Sequence, residues 1–132
     1  MSQVCPCGSK ANYQHCCGRY IDLGVAAPDP ERLMRSRYTA YVVNNSAYLR
    51  KTWHPDTCPD LTDLAQEQTT WLGLEVLRSQ ARFKQGLVEF TARFEAAGVA
   101  RSMHEISRFR KVKNRWLYLD AVTQWPGDPD VT

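Results

Sequence analysis

Leu87-Val88-Glu89-Phe90-Thr91-Ala92-Arg93-Phe94 alternates, with Val88, Phe90, Ala92 and Phe94 on one side and Glu89, Thr91 and Arg93 on the other. A period of two marks a strand with one face buried and one face wet. The pattern extends in both directions. Trp71 to Phe83, Val99 to Val112 and Trp116 to Val122 read as further strands, rich in aromatic and branched residues. The joins are short and carry turn formers: Lys84-Gln85-Gly86, Glu95-Ala96-Ala97-Gly98 and Lys113-Asn114-Arg115. Such joins link only antiparallel neighbours, so the second half of the chain reads as a meander of about four strands.

Upstream of Trp71 the period is 3.6. Asp29 is a preferred N-cap, Pro30 suits the first helical position, and Glu31 complements the helix dipole. Leu33, Met34, Arg37, Tyr38, Tyr41 and Val42 then follow at helical spacing and form one broad face. Asn44-Asn45-Ser46 interrupts it, and Ser46 is placed to cap a short helix from Ala47 to Trp53. His54-Pro55-Asp56 ends that helix, and Asp60 starts a third carrying Leu61, Leu64, Ala65 and Gln68. Helices first and an antiparallel sheet second predict an α+β domain over 29–125, with the helices covering one face of the sheet. Residues 20–28 read as a linker. Pro126-Gly127-Asp128-Pro129-Asp130 makes 126–132 an irregular tail.

The chain has 132 residues, 43% of them hydrophobic and 23% charged, which fits one core and excludes wholesale disorder. No stretch approaches the ~20 apolar residues of a membrane-spanning helix. Met1-Ser2-Gln3-Val4-Cys5 has neither the basic nor the apolar region of a secretory signal, so a cytoplasmic location with reduced thiols is expected. The formal net charge is +3. That balance gives a nucleic-acid partner only weak support, through Arg108, Arg110, Lys111, Lys113 and Arg115.

Residues 1–19 hold four of the five cysteines and almost nothing apolar. Cys5 and Cys7 are separated by one residue, and Cys16 and Cys17 are adjacent. Pro6 and Gly8 permit a tight turn, and Gly18 lets the chain leave sharply. The spacing predicts a small zinc knuckle: one Zn²⁺, structural, held by Cys5, Cys7, Cys16 and Cys17. His15 is an alternative to Cys16 or Cys17, since adjacent residues do not easily reach one metal. A disulfide pair and an iron–sulfur site are the competing readings. Metal binding, on the order of 10 kcal/mol, covers the entropy of closing the loop. With little core of its own, the knuckle is expected to unfold alone on chelation. Cys58, between Thr57 and Pro59, reads as an incidental thiol.

Cys5-Pro6-Cys7-Gly8-Ser9, then Tyr13, then Cys16-Cys17-Gly18 resembles the SEC-C zinc motif of the SecA translocation ATPase. Leu33-Met34-Arg35-Ser36-Arg37-Tyr38, then Ala40-Tyr41, resembles the YchJ family of uncharacterised bacterial proteins. Thr52-Trp53-His54-Pro55, Trp71-Leu72-Gly73-Leu74 and His104-Glu105 with Ser107-Arg108-Phe109 are similar to that family too. The resemblance implies a cone-shaped domain of the cystatin-like or nuclear transport factor 2-like kind, with helices packed on a curved antiparallel sheet. SecA's motif binds the chaperone SecB and the ribosome, so the resemblance also implies a protein partner at the knuckle.

Cone folds often leave a cavity at the open end. Arg37, Tyr38, Tyr41, Trp53, His54, His104, Glu105, Ser107, Arg108 and Asp120 are the polar and aromatic residues expected to line one. Alternation sets Glu105 and Ser107 on one face with Met103 and Phe109, and His104 and Arg108 on the other with Ile106, so they cannot all converge. Arg37 and Glu105 are expected to meet as a buried ion pair. The leading functional expectation is a protein-interaction module. A small-molecule binder or enzyme is the alternative, with His54 or His104 paired to Glu105 or Asp120 as acid and base. Nucleic-acid binding comes third. No catalytic residue is assigned, and no Walker loop, dinucleotide fingerprint or nucleophile elbow occurs.

Overall fold

A computed structural model describes residues 3–61 and 69–126. A 3₁₀ turn at Tyr13–His15 leads into α1 (Gly18–Ile21), α2 (Pro30–Val42) and α3 (Ser46–Lys51). Four strands follow: β1 (Thr69–Arg82), β2 (Gln85–Ala96), β3 (Val99–Val112) and β4 (Arg115–Val122). They form one antiparallel sheet in the order β1-β2-β3-β4, the meander expected from the alternation. Among the described residues no helix is long and apolar enough to cross a membrane.

The hairpins are tighter than the sequence suggests. Arg82 pairs with Gln85, Ala96 with Val99 and Val112 with Arg115, so every loop has two residues. Ala97 and Gly98, at φ 52° and 76°, and Lys113 and Asn114, at 51° and 65°, take the left-handed conformations of type I′ turns. Such turns match the twist of the strands they join. The sheet bends where single residues are inserted: the register shifts between Trp71 and Gly73, between Val76 and Arg78, and opposite Arg108 and Phe109. Bulges of this kind increase local twist and curve the strand.

Helix α2 begins as expected, with the Asp29 side chain accepting from the Arg32 amide at 2.8 Å. Its burial goes further than one face. Leu33, Met34 and Tyr38 pack with Val88, Phe90, Ala92 and Phe109 of the sheet. Ala40 packs with Tyr48 and Leu49 of α3, and with Tyr20. Gly86 makes the contact at the N-terminus of α2 possible, because a Cβ there would lie 2.3 Å from Cγ of Pro30.

Several expectations need correction. The second helix ends at Lys51, and its N-cap is Asn45, which accepts from the Tyr48 amide, rather than Ser46. Trp53 instead bridges to Tyr118 of β4, and the Tyr118 amide donates to the Thr52 carbonyl at 2.8 Å. The sheet edge recruits this segment because β4 has unpaired backbone groups to satisfy. Tyr20 and Ile21, read as linker, belong to α1, and Tyr20 is buried. Leu64, Ala65 and Gln68 of the third expected helix lie outside the described residues, and Asp60 and Leu61 are irregular. Of the tail, only Pro126 is described. The knuckle does not stand apart either: Cys5, Cys7 and Cys17 share a buried cluster with Leu33, Met34, Tyr38 and the sheet residues.

Candidate functional site

Two features of the chain carry chemistry, a cysteine cluster and a cavity, and α2 touches both. The knuckle folds by local backbone bonds. The Cys5 amide donates to the Ala11 carbonyl and the Tyr13 amide to the Gln3 carbonyl, each at 2.8 Å, and Val4 bridges to Asn12. Gly8, at φ 84°, turns the chain between Cys7 and Ser9. Asn12 caps the 3₁₀ turn that delivers Cys16 and Cys17 from the other side.

The sulfurs of Cys5, Cys7, Cys16 and Cys17 all lie within 4.8 Å of one another, with Cys7 and Cys16 at 3.6 Å. A tetrahedral metal with ~2.3 Å bonds to sulfur needs edges of about 3.8 Å, so the four residues fit such an ion. Adjacency does not prevent Cys16 and Cys17 from joining, because the backbone turns at Cys16 (φ −128°, ψ −115°) and Cys17 is the N-cap of α1. His15 is exposed and outside the group. All five cysteines are free thiols. Contacts with Cys17 and Cys7 pull the Cys5 thiol well down, to about 3, and contacts with Cys5 and Cys7 push Cys17 up.

Helix α2 and the knuckle's own loop supply the surroundings of the sulfurs. The buried Thr39 hydroxyl donates to Cys17 Sγ at 3.4 Å and lies 3.8 Å from Cys5 Sγ. Ser9 Oγ is 3.1 Å from Cys16 Sγ, and Arg35 Nη1 donates to the Cys7 carbonyl at 2.8 Å. Sequence reasoning missed Thr39 and Arg35. Their spacing from Leu33 marks them as helical, but nothing local says that the first nineteen residues cover that side.

The cavity encloses about 460 Å³ between α2 and the concave face of the sheet. Met34, Arg37, Tyr38 and Tyr41 line it from α2, Trp53 from the segment after α3, and Trp71, Phe90 and Ala92 from β1 and β2. Met103, Glu105, Ser107 and Phe109 of β3 and Tyr118 of β4 complete most of the wall, and Pro59, Asp60 and Leu61 line it from the irregular segment before β1. Tyr118 carried no local signal, since its position depends on the β3–β4 register. Glu105 Oε2 accepts from the Ser107 hydroxyl at 2.5 Å and from the Tyr118 hydroxyl at 3.4 Å. Burial first, and then the Glu105 charge, push the Tyr118 phenol up.

Six of the ten residues nominated from the sequence line this cavity: Arg37, Tyr38, Tyr41, Trp53, Glu105 and Ser107. The other four lie elsewhere. His104 Nε2 sits 2.6 Å from Glu89 on the outer face, where Arg78 holds the second carboxylate oxygen. Arg108 and Asp120 form a two-pronged pair there, both bonds at 2.6 Å. That pairing also removes Arg108 from the basic run. His54 Nδ1 accepts from the Asp56 amide at 3.1 Å. Neither histidine therefore meets Glu105 or Asp120, and the expected acid–base pair does not assemble.

The expected Arg37–Glu105 ion pair does not form either. Arg37 Nη1 donates to the Leu49 carbonyl at 2.9 Å and to Thr52 Oγ1 at 2.7 Å. Its guanidinium lies 4.7 Å from the Trp53 ring centre and 4.8 Å from that of Tyr118. Both residues do face inward. However, the last turn of α3 presents bare carbonyls beside Arg37 and captures it before it can reach across.

A curved antiparallel sheet closed by helices around a cavity, with a four-cysteine knuckle packed on the principal helix, defines a cone-fold α+β protein with a SEC-C-type motif. Two family models match: "YchJ, middle NTF2-like domain" over residues 29–121 and the SEC-C motif over residues 1–19. The chain belongs to the YchJ family. A UPF0225 protein of Bordetella parapertussis is 46% identical over 121 residues, covering 89% of this chain and 91% of that protein. Another, from Ralstonia nicotianae, is 47% identical over 132 residues, covering 89% and 90%. The solution structure of a SEC-C motif containing protein from Rhodopseudomonas palustris is similar at 37% identity and a TM-score of 0.81, over 94% of this chain and 99% of that one. The crystal structure of another, from Psychrobacter arcticus, is similar at 32% identity and a TM-score of 0.77, over 98% and 85%.

Proposed function

We propose that this protein binds a small organic molecule in its cone cavity and that a structural Zn²⁺ in the cysteine cluster fixes the helix that forms one wall. The observation that carries the reading is the cavity itself: about 460 Å³, walled by Trp53, Trp71, Tyr38, Tyr41, Phe90 and Phe109, with a few polar groups among them. Ligand sites have this composition, an apolar lining that supplies affinity and sparse polar groups that set orientation. Binding is favoured over acid–base catalysis, since both nominated histidines are engaged away from the cavity.

Zinc is supported by the all-sulfur donor set and the separations of the sulfurs, and four protein ligands leave no open position to activate water. Metal analysis should find one zinc per chain. Iron, or no metal, would overturn that assignment. For the cavity, titration of small aromatic compounds should shift the indole resonances of Trp53 and Trp71. Shifts confined to the outer face of the sheet would overturn the reading.

A protein partner at the knuckle is a second reading, supported by Val4 and Leu23, apolar side chains that are 69% and 73% exposed within the knuckle and just after it. Val4→Ser with Leu23→Ser should abolish capture of such a partner while leaving metal content unchanged.

A further inference from the structure

We propose that the molecule taken by the cavity is an organic anion, a monocarboxylate on an apolar body, with Arg37 as its counter-charge and the Trp53 indole N–H as a second donor. The proposal rests on the cavity-binding reading above and names its ligand class.

Arg37 is 5% exposed, and no carboxylate lies within ion-pair distance of it among the described residues. Burying an unpaired cation is expensive, and proteins normally supply a counter-ion. The α3 carbonyl and the two aromatic rings answer part of the charge. They engage Nη1 and the faces of the guanidinium, while Nε and Nη2 donate to no described residue. An arginine fork of this kind matches a carboxylate in two parallel hydrogen bonds.

The second observation is independent. Trp53 Nε1 has no acceptor and is sealed from solvent, the one side-chain polar atom so left among the described residues, whereas the unengaged Arg37 nitrogens keep some contact with open space. Trp53 stacks on Arg37 and lines the same cavity. Two unanswered donors, one of them cationic, thus occur together at one wall. Both carboxylates that line the cavity are already engaged: Glu105 accepts from the Ser107 and Tyr118 hydroxyls, and Asp60 has an interaction of its own. This asymmetry favours an anion over an organic cation.

The test compares three probes that share one apolar body: indole-3-acetate, its neutral amide indole-3-acetamide, and the cationic tryptamine. Each is titrated into the full metal-loaded chain while the Trp53 Nε1–H and Arg37 Nε–H resonances are followed. The acetate should bind roughly tenfold or more tightly than the amide, move both signals, and exceed tryptamine by a wider margin. Arg37→Met should erase the preference for acetate over amide. Because that variant also removes the tie to α3, Trp53→Phe serves beside it: it keeps an aromatic ring beside Arg37, removes the indole donor together with part of the ring surface, and should weaken the acetate several-fold more than the amide. Equal binding of acetate and amide overturns the anion inference and leaves the cavity reading standing. Tightest binding by tryptamine overturns it too and makes Glu105 the recognition group. No shift of any cavity resonance by any probe at millimolar concentration overturns both.

Discussion

The Thr39 hydroxyl donates to Cys17 Sγ at 3.4 Å from the middle of helix α2. Thr39 is fully buried, and two residues earlier on the same helix Arg37 lines the cavity. One helix therefore serves as a lid on the cysteine cluster and as a wall of the cone.

Chelation should destabilise the whole chain rather than residues 1–19 alone. Cys5, Cys7 and Cys17 share a buried cluster with Leu33, Met34, Val88 and Phe90, so releasing the metal loosens the packing on α2 as well. Hydrogen exchange after chelator treatment should show lost protection along α2 and at its contacts on β2. Loss confined to the knuckle would contradict this.

Thr39→Val keeps the shape of the side chain but removes the donor to the sulfurs. Partners in the outer shell of a metal site tune ligand charge and orientation, and losing one should lower metal affinity about tenfold or more. Competition with a chromophoric chelator measures it. Unchanged affinity would show that the hydroxyl only fills space.

Gly86→Ala should destabilise the fold by about 1–3 kcal/mol, as overpacking does. The added methyl would lie 2.3 Å from Pro30 Cγ and 3.3 Å from the Trp116 ring, so α2 must lift from the sheet at its N-terminus. Denaturant melts check this. Gly98→Ala would crowd nothing but keeps a left-handed φ of 76°, so its smaller cost comes from the backbone alone.

The outer-face carboxylate Glu89 gives a dependence on pH. Hydrogen bonds from Arg78, and then from His104, hold it below the usual glutamate value of 4.5. A carboxyl depressed in the native state binds fewer protons there than in the unfolded chain. Its contribution is therefore complete above about 4.5 and is lost as pH falls through the lowered value. Thermal melts of wild type and Glu89→Gln should differ at pH 6 and converge in strong acid. Arg78 is 41% exposed, so the gap should be small and shrink further in high salt.

How far the sequence could be read follows from how local each signal is. The alternation around Val88 and Phe90 and the Asp29-Pro30 start are local, and both appear where the pattern placed them. The inward direction of Glu105 was legible from the same alternation. The destination of Arg37 was not, because it depends on where the chain turns back after Leu49. The His104–Glu89 contact depends on register: Glu89 faces Ile106 and His104 faces Thr91, so the pair is diagonal across β2 and β3. No single strand encodes that offset. Thr39 escaped for the opposite reason, since a helix expected to have one buried face in fact has the knuckle on another.

The ligand set of the knuckle lies wholly between residues 5 and 17, while everything it packs against comes later in the chain. During synthesis, then, the four thiols are complete before helix α2 or any strand exists. The four thiols need no later element to come together, whereas Thr39 and Arg35 reach the knuckle only once α2 has formed, and the concave sheet needs α2 in place to bury Val88 and Phe90. The order of translation thus brings out the complete cysteine set before the helix and sheet that pack on it.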